Sequence, residues 1–402
     1  MSGSAATDTV RPFTLSVVIV ESSRLRMPVA TSPPTNSRLT RYTFDAMNNI
    51  PRTMKATVLV APHRFELLDR PVPTPGDEDV LIRVRACGIC GTDLKIIHTG
   101  MPHMPPYGEF IFGHEYAGDI VAVGSTVDEF RVGDRVVVEA HMGCRRCENC
   151  IRGMYTACLN FGNTRRGHRA NGFTTNGGLA EYAVNHVNTL YRMPDGVSYE
   201  EATVVMTSGS PLFGLENAGG YFAGETVVVL GPGPIGLMAI QLAKAVGATR
   251  VILTGTRESR LALGRQLGAD VVVDSRRADP VAAVMEATGG KGADLVIDCA
   301  GGDDTFDQSI KMAKSGGKVL IVAFYHGPVT ADVSHAVRRN ITIYTERGEG
   351  GTSVGRALAL LAAGRLTAKP LVTHQFPLSG IHEAMETLEK RIGDPVKVVL
   401  NP

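Results

Sequence analysis

Between Thr226 and Ile321 the chain repeats one unit: a short apolar run, then a segment with helical spacing. "ETVVVLG" is followed by "IGLMAIQLAKAVGA", "RVILTG" by "ESRLALGRQLGA", "DVVVD" by "DPVAAVMEATGG" and "ADLVIDCAG" by "DTFDQSIKMAK", with "GGKVLIVA" closing the series. Apolar runs this short, bounded by turn residues, read as strands buried on both faces. Strand–helix alternation then selects parallel pairing, because each helix carries the chain back across the sheet. This stretch therefore predicts an α/β, doubly wound parallel sheet with helices on both faces. From Met54 to about residue 190 the texture differs: "DVLIRVRACGIC", "YAGDIVAVGS" and "VGDRVVVEA" are short strands punctuated by glycine, as in a β-barrel. After about residue 343 the pattern is mixed, and the closing "PVKVVL" is a strand that can return to complete that barrel.

A chain of 402 residues has room for both domains. Hydrophobic content of 44% with 20% charged residues describes a soluble globular chain, and a net charge of +1 provides no field to recruit nucleic acid or a membrane surface. No apolar run approaches the roughly 18 residues of a membrane span, which makes the cytoplasm the default location. Residues 1–53 stand apart: they are rich in Ser, Thr, Pro and Arg, with only Asp8, Glu21 and Asp45 as acids. A transit peptide is one reading. A disordered extension ahead of a natural start at Met54 is the reading taken, since "MKATVLV" is a natural first strand.

"VVVLGPGPIGLMAI" places Gly231, Gly233 and Gly236 in G-x-G-x-x-G spacing, with Pro234 and Ile235 between them, after a strand and at a helix start. The first glycine permits the turn, the second lets backbone approach a pyrophosphate, and the third lets helix pack on strand. Free N–H groups at the helix start then face the anion. The pattern thus predicts a dinucleotide site. A dinucleotide lacking a 2′-phosphate usually meets an acid about 20 residues on. Here Gly255 stands in that place, followed by Thr256 and Arg257. A small residue, a hydroxyl and a guanidinium suit a 2′-phosphate, so the stretch favours NADP(H) over NAD(H). The alternative is that Arg257 and Arg260 are solvated residues of the next helix.

Four of the seven cysteines lie close together: "GCRRCENC" holds Cys144, Cys147 and Cys150, and Cys158 follows. Seven cysteines are too sparse for a disulfide scaffold in a chain with so large a core. Their clustering favours a metal. The C-x2-C-x2-C-x7-C spacing lacks the paired knuckles of a nucleic-acid zinc ribbon, and a redox C-x-x-C needs no third and fourth thiol. "CGICGTDLK" and "FGHEYAG" form a second group. Cys90 and His114 are zinc-type ligands, Glu115 is adjacent, and Asp93 can accept the second ring N–H of His114. Spacing alone does not make Cys90 and His114 a metal site.

"GICGTD", "GHEYAG", the four-cysteine lobe, "GGLAEY", the glycine turn and "LVIDCAG", in that order, resemble the zinc-dependent medium-chain dehydrogenase/reductases (the alcohol dehydrogenase superfamily), nearest the sorbitol, threonine and polyol dehydrogenases. The likeness runs from about residue 54 to the end. It implies a GroES-like catalytic domain over residues 54–205 and 344–402 and a Rossmann cofactor domain over 206–343. It also implies a catalytic zinc on Cys90 and His114 with Glu115 as third or exchanging ligand, a structural zinc on Cys144, Cys147, Cys150 and Cys158, and a proton path through Thr92. The activity implied is hydride transfer between a secondary alcohol or polyol, or its ketone or aldehyde, and a nicotinamide cofactor. A homodimer or homotetramer paired near "NITIYTE" (340–346) is implied as well.

Two departures from the family pattern stand out. Where relatives often place another Cys or Glu, this chain has "VVMTSGSPLFG", offering Thr207, Ser208, Gly209 and Ser210. Lys95 stands where some relatives carry a relay histidine. A zinc-independent alkene or quinone reductase is the rival enzyme reading, and a non-catalytic nucleotide-binding protein of the same fold is the rival from another class. His98, His103, Tyr107 and Arg169 are candidates for meeting substrate hydroxyls, with ordinary surface roles the simpler account.

Overall fold

The computed structural model describes residues 50–220 and 222–402. The reading of the amino-terminal extension lies outside these residues, apart from 50–53, which lead into the first strand, Thr53–Ala61.

Six parallel strands form the sheet expected over the alternating region, in the spatial order Val271–Asp274, Arg250–Gly255, Thr226–Leu230, Ala293–Asp298, Ala313–Ile321, Thr342–Thr345. Numbered along the chain this is 3-2-1-4-5-6, so the order reverses between Thr226–Leu230 and Ala293–Asp298. In such sheets the crevice beyond the carboxyl ends at that reversal is where a dinucleotide lies. The central strand is buried from Val227 to Leu230, which is why it reads as a continuous apolar run rather than an alternating one. The helix Pro234–Ala245 follows it, with Pro234 at its first position and Gly233 as cap.

The barrel is built on the long strand Asp79–Ile89, which pairs with Glu115–Val123, Tyr182–His186 and Lys397–Asn401. The last of these is the closing strand of the chain. Its Val399 sits opposite Gly88 and its Leu400 opposite Cys87. The carboxyl terminus is therefore laid beside the segment that leads into Cys90. A separate sheet of Arg64–Pro71, Thr53–Ala61 and Phe110–Ile111 covers one side.

Two helices, Tyr199–Met206 and Gly209–Asn217, lie between barrel and parallel sheet. Ser198 caps the first by accepting from Glu201 N at 3.2 Å, while Glu201 Oε2 accepts from Ser198 N at 3.1 Å. Both helices contribute to one apolar cluster with Val227, Val229, Leu237 and Leu295, so barrel flank and parallel sheet share a core.

Candidate active site

Among the described residues, two groups of metal-ligating side chains converge: Cys90, His114 and Glu115, and the four lobe cysteines. Within each group the ligand atoms lie within 4.8 Å of one another.

Cys90 follows the strand Asp79–Ile89 and caps the helix Gly91–Thr99. Asp93, fully buried, holds this turn by accepting from Cys90 N at 2.8 Å through Oδ2. Its other oxygen, Oδ1, lies 3.2 Å from His114 Nδ1, off the linear direction of a hydrogen bond. Asp93 thus favours a proton on Nδ1 and leaves Nε2 for a metal. Burial opposes the charged imidazolium, yet Asp93 and Cys90 outweigh it and raise the pKa of His114 well above its ordinary value. Gly113 makes the presentation possible. Its φ is +88°, and a Cβ there would stand 2.5 Å from Leu179 Cγ and 3.0 Å from Cys87 Sγ. Thr92 Oγ1 sits 3.6 Å from Cys90 Sγ and is half-buried.

Glu115 has a partner that local sequence does not reveal. Lys397 Nζ donates to Glu115 Oε2, with the two side chains 2% and 3% exposed. Burial disfavours the ammonium, but Glu115 and Cys90 hold the Lys397 pKa above its usual value. Gly88 supplies the room: a Cβ there would come within 2.8 Å of Glu115 Oε2 and 3.4 Å of Thr203 Oγ1. Glu115 therefore faces two candidate cations, the ammonium and a metal.

The lobe fits an ion. Cys144 and Cys150, and likewise Cys147 and Cys158, have Sγ atoms 4.0 Å apart. That is far beyond a disulfide bond and close to the ~3.8 Å separation of thiolates on a tetrahedral zinc with 2.3 Å bonds. Backbone N–H groups of Cys144 and Asn160 donate to Cys158 Sγ at 3.4 and 3.3 Å, and Asn160 Nδ2 donates to Cys144 Sγ at 3.1 Å. Burial pushes the Cys144 thiol up, but the N–H of Arg146 and the Asn160 amide bring it down to about 6. Four thiolates close a tetrahedral site and leave no position for substrate.

The glycine turn has the shape a pyrophosphate requires. Gly231 has φ +93°, and a Cβ on it would meet Ala300 Cα at 2.9 Å. A Cβ on Gly236 would lie 2.0 Å from Gly231 O, whereas one on Gly233 would meet nothing within 4 Å. The open space is thus over the middle glycine, beside the helix N-terminus. Asp298, fully buried, shapes the neighbouring loop: it accepts from Ala300 N at 2.8 Å, Gly301 N at 3.1 Å, Thr305 Oγ1 at 2.6 Å and Tyr325 OH at 2.5 Å. At the end of the second strand, a Cβ on Gly255 would stand 2.4 Å from Pro232 Cδ, so any side chain there would require the turn to shift. Thr256 is exposed, and Arg257 caps the next helix, Glu258–Gln266.

Thr207 Oγ1 donates back to Val204 O at 2.6 Å and is committed to its helix end. Ser208 is fully buried with no partner for its hydroxyl, and Gly209 abuts Glu349, whose Cγ would be 2.7 Å from an added Cβ. Glu349 lies 3.1 Å from His141 Nδ1, and the His141 ring stacks on Phe173, which also packs against the His114 ring at 4.4 Å. Behind this row Glu139 accepts from Tyr191 OH at 2.8 Å. Burial and the nearby Glu349 raise its pKa to about 8. Sequence reasoning missed Lys397, Glu349 and Glu139 because their partners come from distant strands. The other substrate candidates are dispersed. Arg169 pairs with Asp79 at 3.1 Å, His98 with Glu389 at 3.5 Å, His103 packs against Phe161, and Tyr107 and Lys95 are exposed.

Fold and site together describe a nucleotide-dependent zinc dehydrogenase, and comparison with known proteins agrees. Residues 76–195 match the alcohol dehydrogenase GroES-like domain and residues 234–363 the zinc-binding dehydrogenase family. The L-threonine 3-dehydrogenase of Bacillus licheniformis is 34% identical over 84% of this chain and 95% of its own length. The sorbitol dehydrogenase of Bacillus subtilis is 32% identical over 88% of this chain and 99% of its own length. A crystal structure of a putative zinc-binding dehydrogenase from Sinorhizobium meliloti 1021 bound to NADP superposes with a TM-score of 0.79 at 29% identity, covering 88% of this chain and all of that one. The chain belongs to the zinc-dependent medium-chain alcohol dehydrogenases, near their polyol and threonine dehydrogenase branch. No helix among the described residues is long and apolar enough to cross a membrane.

Proposed function

We propose that the protein transfers a hydride between a secondary alcohol or polyol, or the matching ketone or aldehyde, and NADP(H) in preference to NAD(H). The observation that carries this reading is the convergence of Cys90, His114 and Glu115 on one point. In this reading residues 54–205 and the carboxyl-terminal segment form the catalytic domain, and the cofactor domain runs from 206 past the expected boundary at 343, because its sixth strand, Thr342–Thr345, crosses that boundary. Zinc supplies a Lewis acid that lowers the pKa of a hydroxyl or polarises a carbonyl, and the nicotinamide carries the hydride.

The chain's own groups do the rest. Cys90 Sγ and His114 would hold the metal, and Asp93 Oδ1, 3.2 Å from Nδ1, would favour Nε2 as the ligand atom. Glu115 would serve as a third ligand or as the counter-ion of Lys397, and the ammonium keeps its buried charge paired when it does not bind the metal. Thr92 Oγ1 takes the substrate hydroxyl proton and passes it to solvent. Gly231, Gly233, Pro234, Ile235 and Gly236 seat the pyrophosphate. Gly255, Thr256 and Arg257 face the 2′ position, and a glycine in place of an acid at 255 supports NADP(H). Thr207, Ser208 and Ser210 would add no strong metal ligand, so the protein would supply at most Cys90, His114 and Glu115. Cys144, Cys147, Cys150 and Cys158 hold a structural ion. A pair of chains joined along the edge strand Thr342–Thr345, where Ile343 is 39% exposed, completes the reading.

The test is a panel of secondary alcohols and polyols assayed with NADP+ and NAD+ on zinc-replete protein. Turnover of at least one alcohol with NADP+ preferred is the expected result. Tight nucleotide binding with no turnover of any alcohol would support a non-catalytic nucleotide-binding protein instead.

A further inference from the structure

Asp394 lies 137 positions from Arg257 in sequence and beside it in space. It belongs to the loop between the helix Ile381–Glu389 and the strand Lys397–Asn401, both outside the cofactor sheet. Its Oδ1 accepts from Arg257 Nη1 at 3.0 Å and lies 3.4 Å from Arg260 Nε, and its Oδ2 accepts from Ser259 Oγ. Arg260 also donates to the Pro395 carbonyl. Two guanidinium groups and a hydroxyl therefore surround one carboxylate, a donor set that suits a phosphomonoester equally well. The set stands at the first turn after Gly255, where the 2′ substituent of an adenosine ribose falls in this fold. It is not saturated: Arg260 Nε is buried without an in-line acceptor. The loop is also shaped to deliver the carboxylate, with Arg391, Gly393 and Asp394 all in left-handed conformations at φ +58°, +69° and +52°. Two of these are non-glycine residues, for which that conformation is uncommon.

We propose that Asp394 is an internal stand-in for the 2′-phosphate, occupying the Arg257–Ser259–Arg260 site until the cofactor's phosphate displaces it. The inference rests on the preference for NADP(H) proposed above. Two anions cannot share these donors, so NADP(H) binds only the fraction of molecules whose Asp394 has withdrawn, and its apparent affinity falls by that fraction. NAD(H), carrying no phosphate there, leaves the carboxylate in place. Asp394 thus narrows the margin between the cofactors. Because the carboxylate is partly exposed, its grip is modest, and the penalty is about three- to ten-fold.

The experiment uses the full-length, zinc-loaded protein. NADPH and NADH are titrated by fluorescence, and 2′,5′-ADP and 5′-AMP by calorimetry, on the wild type, Asp394→Asn and Asp394→Ala. NADPH and 2′,5′-ADP are expected to tighten by about three- to ten-fold in both variants, with NADH and 5′-AMP moving less than about two-fold. Adding Arg257→Ala should abolish the gain. Unchanged or weaker NADPH binding in both variants, with NADH retained, overturns the proposal. Loss of both cofactors overturns it too, since Asp394 would then be a brace for the loop. A wild type that binds NADH more tightly than NADPH contradicts the cofactor reading by itself. Tightening of NADPH in the variants would still support the role of Asp394 in that case, and its absence would overturn it.

Discussion

Replacing Lys397 by Met keeps most of the side chain's packing and removes its charge. Glu115 then remains as a carboxylate 3% exposed, with its ammonium partner gone. An exposed ion pair contributes at most about 1 kcal/mol, but removing one member of a buried pair costs about 3–5 kcal/mol, because the survivor keeps its desolvation penalty. Lys397→Met should therefore destabilise the fold by about 3–5 kcal/mol. Adding Glu115→Gln removes the stranded charge, and the double variant should recover at least half of that loss. Urea denaturation of the four proteins of this cycle, in chelator so that zinc does not compensate Glu115, provides the numbers. The reasoning is refuted if Lys397→Met lies within about 0.5 kcal/mol of wild type, or if the double variant loses the sum of the two single effects.

Gly233→Ala should leave stability within about 0.5 kcal/mol, because a Cβ there meets nothing within 4 Å, yet weaken NADPH at least ~10-fold by intruding on the pyrophosphate space. Equilibrium titration alongside thermal unfolding checks both halves. Glu139 has a folded pKa of about 8 against 4.5 in the unfolded chain, so the folded state binds the extra proton between those values. Its contribution is complete below the unfolded pKa and is lost as pH rises through 8, with a slope of up to about 1.4 kcal/mol per pH unit. Glu139→Gln should flatten that slope in denaturation curves from pH 5 to 9. Ile343→Asp, on the exposed edge strand, should shift the protein to monomer in sedimentation velocity if chains pair there.

The parallel sheet was legible because strands buried on both faces print as unbroken apolar runs, and Thr226–Leu230 is such a run. The glycine turn was legible because every one of its constraints is local: Gly231 meets Ala300 and Gly236 meets Gly231, both beside the strand they follow. The lobe cysteines fall within 15 residues of chain and needed only their spacing to be grouped. What sequence did not disclose depends on closure over long separations. Lys397 reaches Glu115 only because the final strand inserts beside Asp79–Ile89, a contact across 282 positions. Asp394 reaches Arg257 through the loop just ahead of that strand. Arg257 accordingly looked like a free or solvated guanidinium, when its charge is already engaged. Asp298 appeared in sequence as one letter of a motif. Its four donors come together only when the strand end, the helix Thr305–Met312 and Tyr325 fold over it.

The central claim is that Cys90 and His114 hold a metal distinct from the one in the cysteine lobe. Zinc counted per chain by plasma mass spectrometry, on wild type and Cys90→Ser purified under identical conditions, tests it most directly. The account predicts two zinc ions in the wild type and one in the variant, with NADPH affinity retained and alcohol turnover abolished. One zinc in both proteins, or turnover that survives in Cys90→Ser, would contradict it.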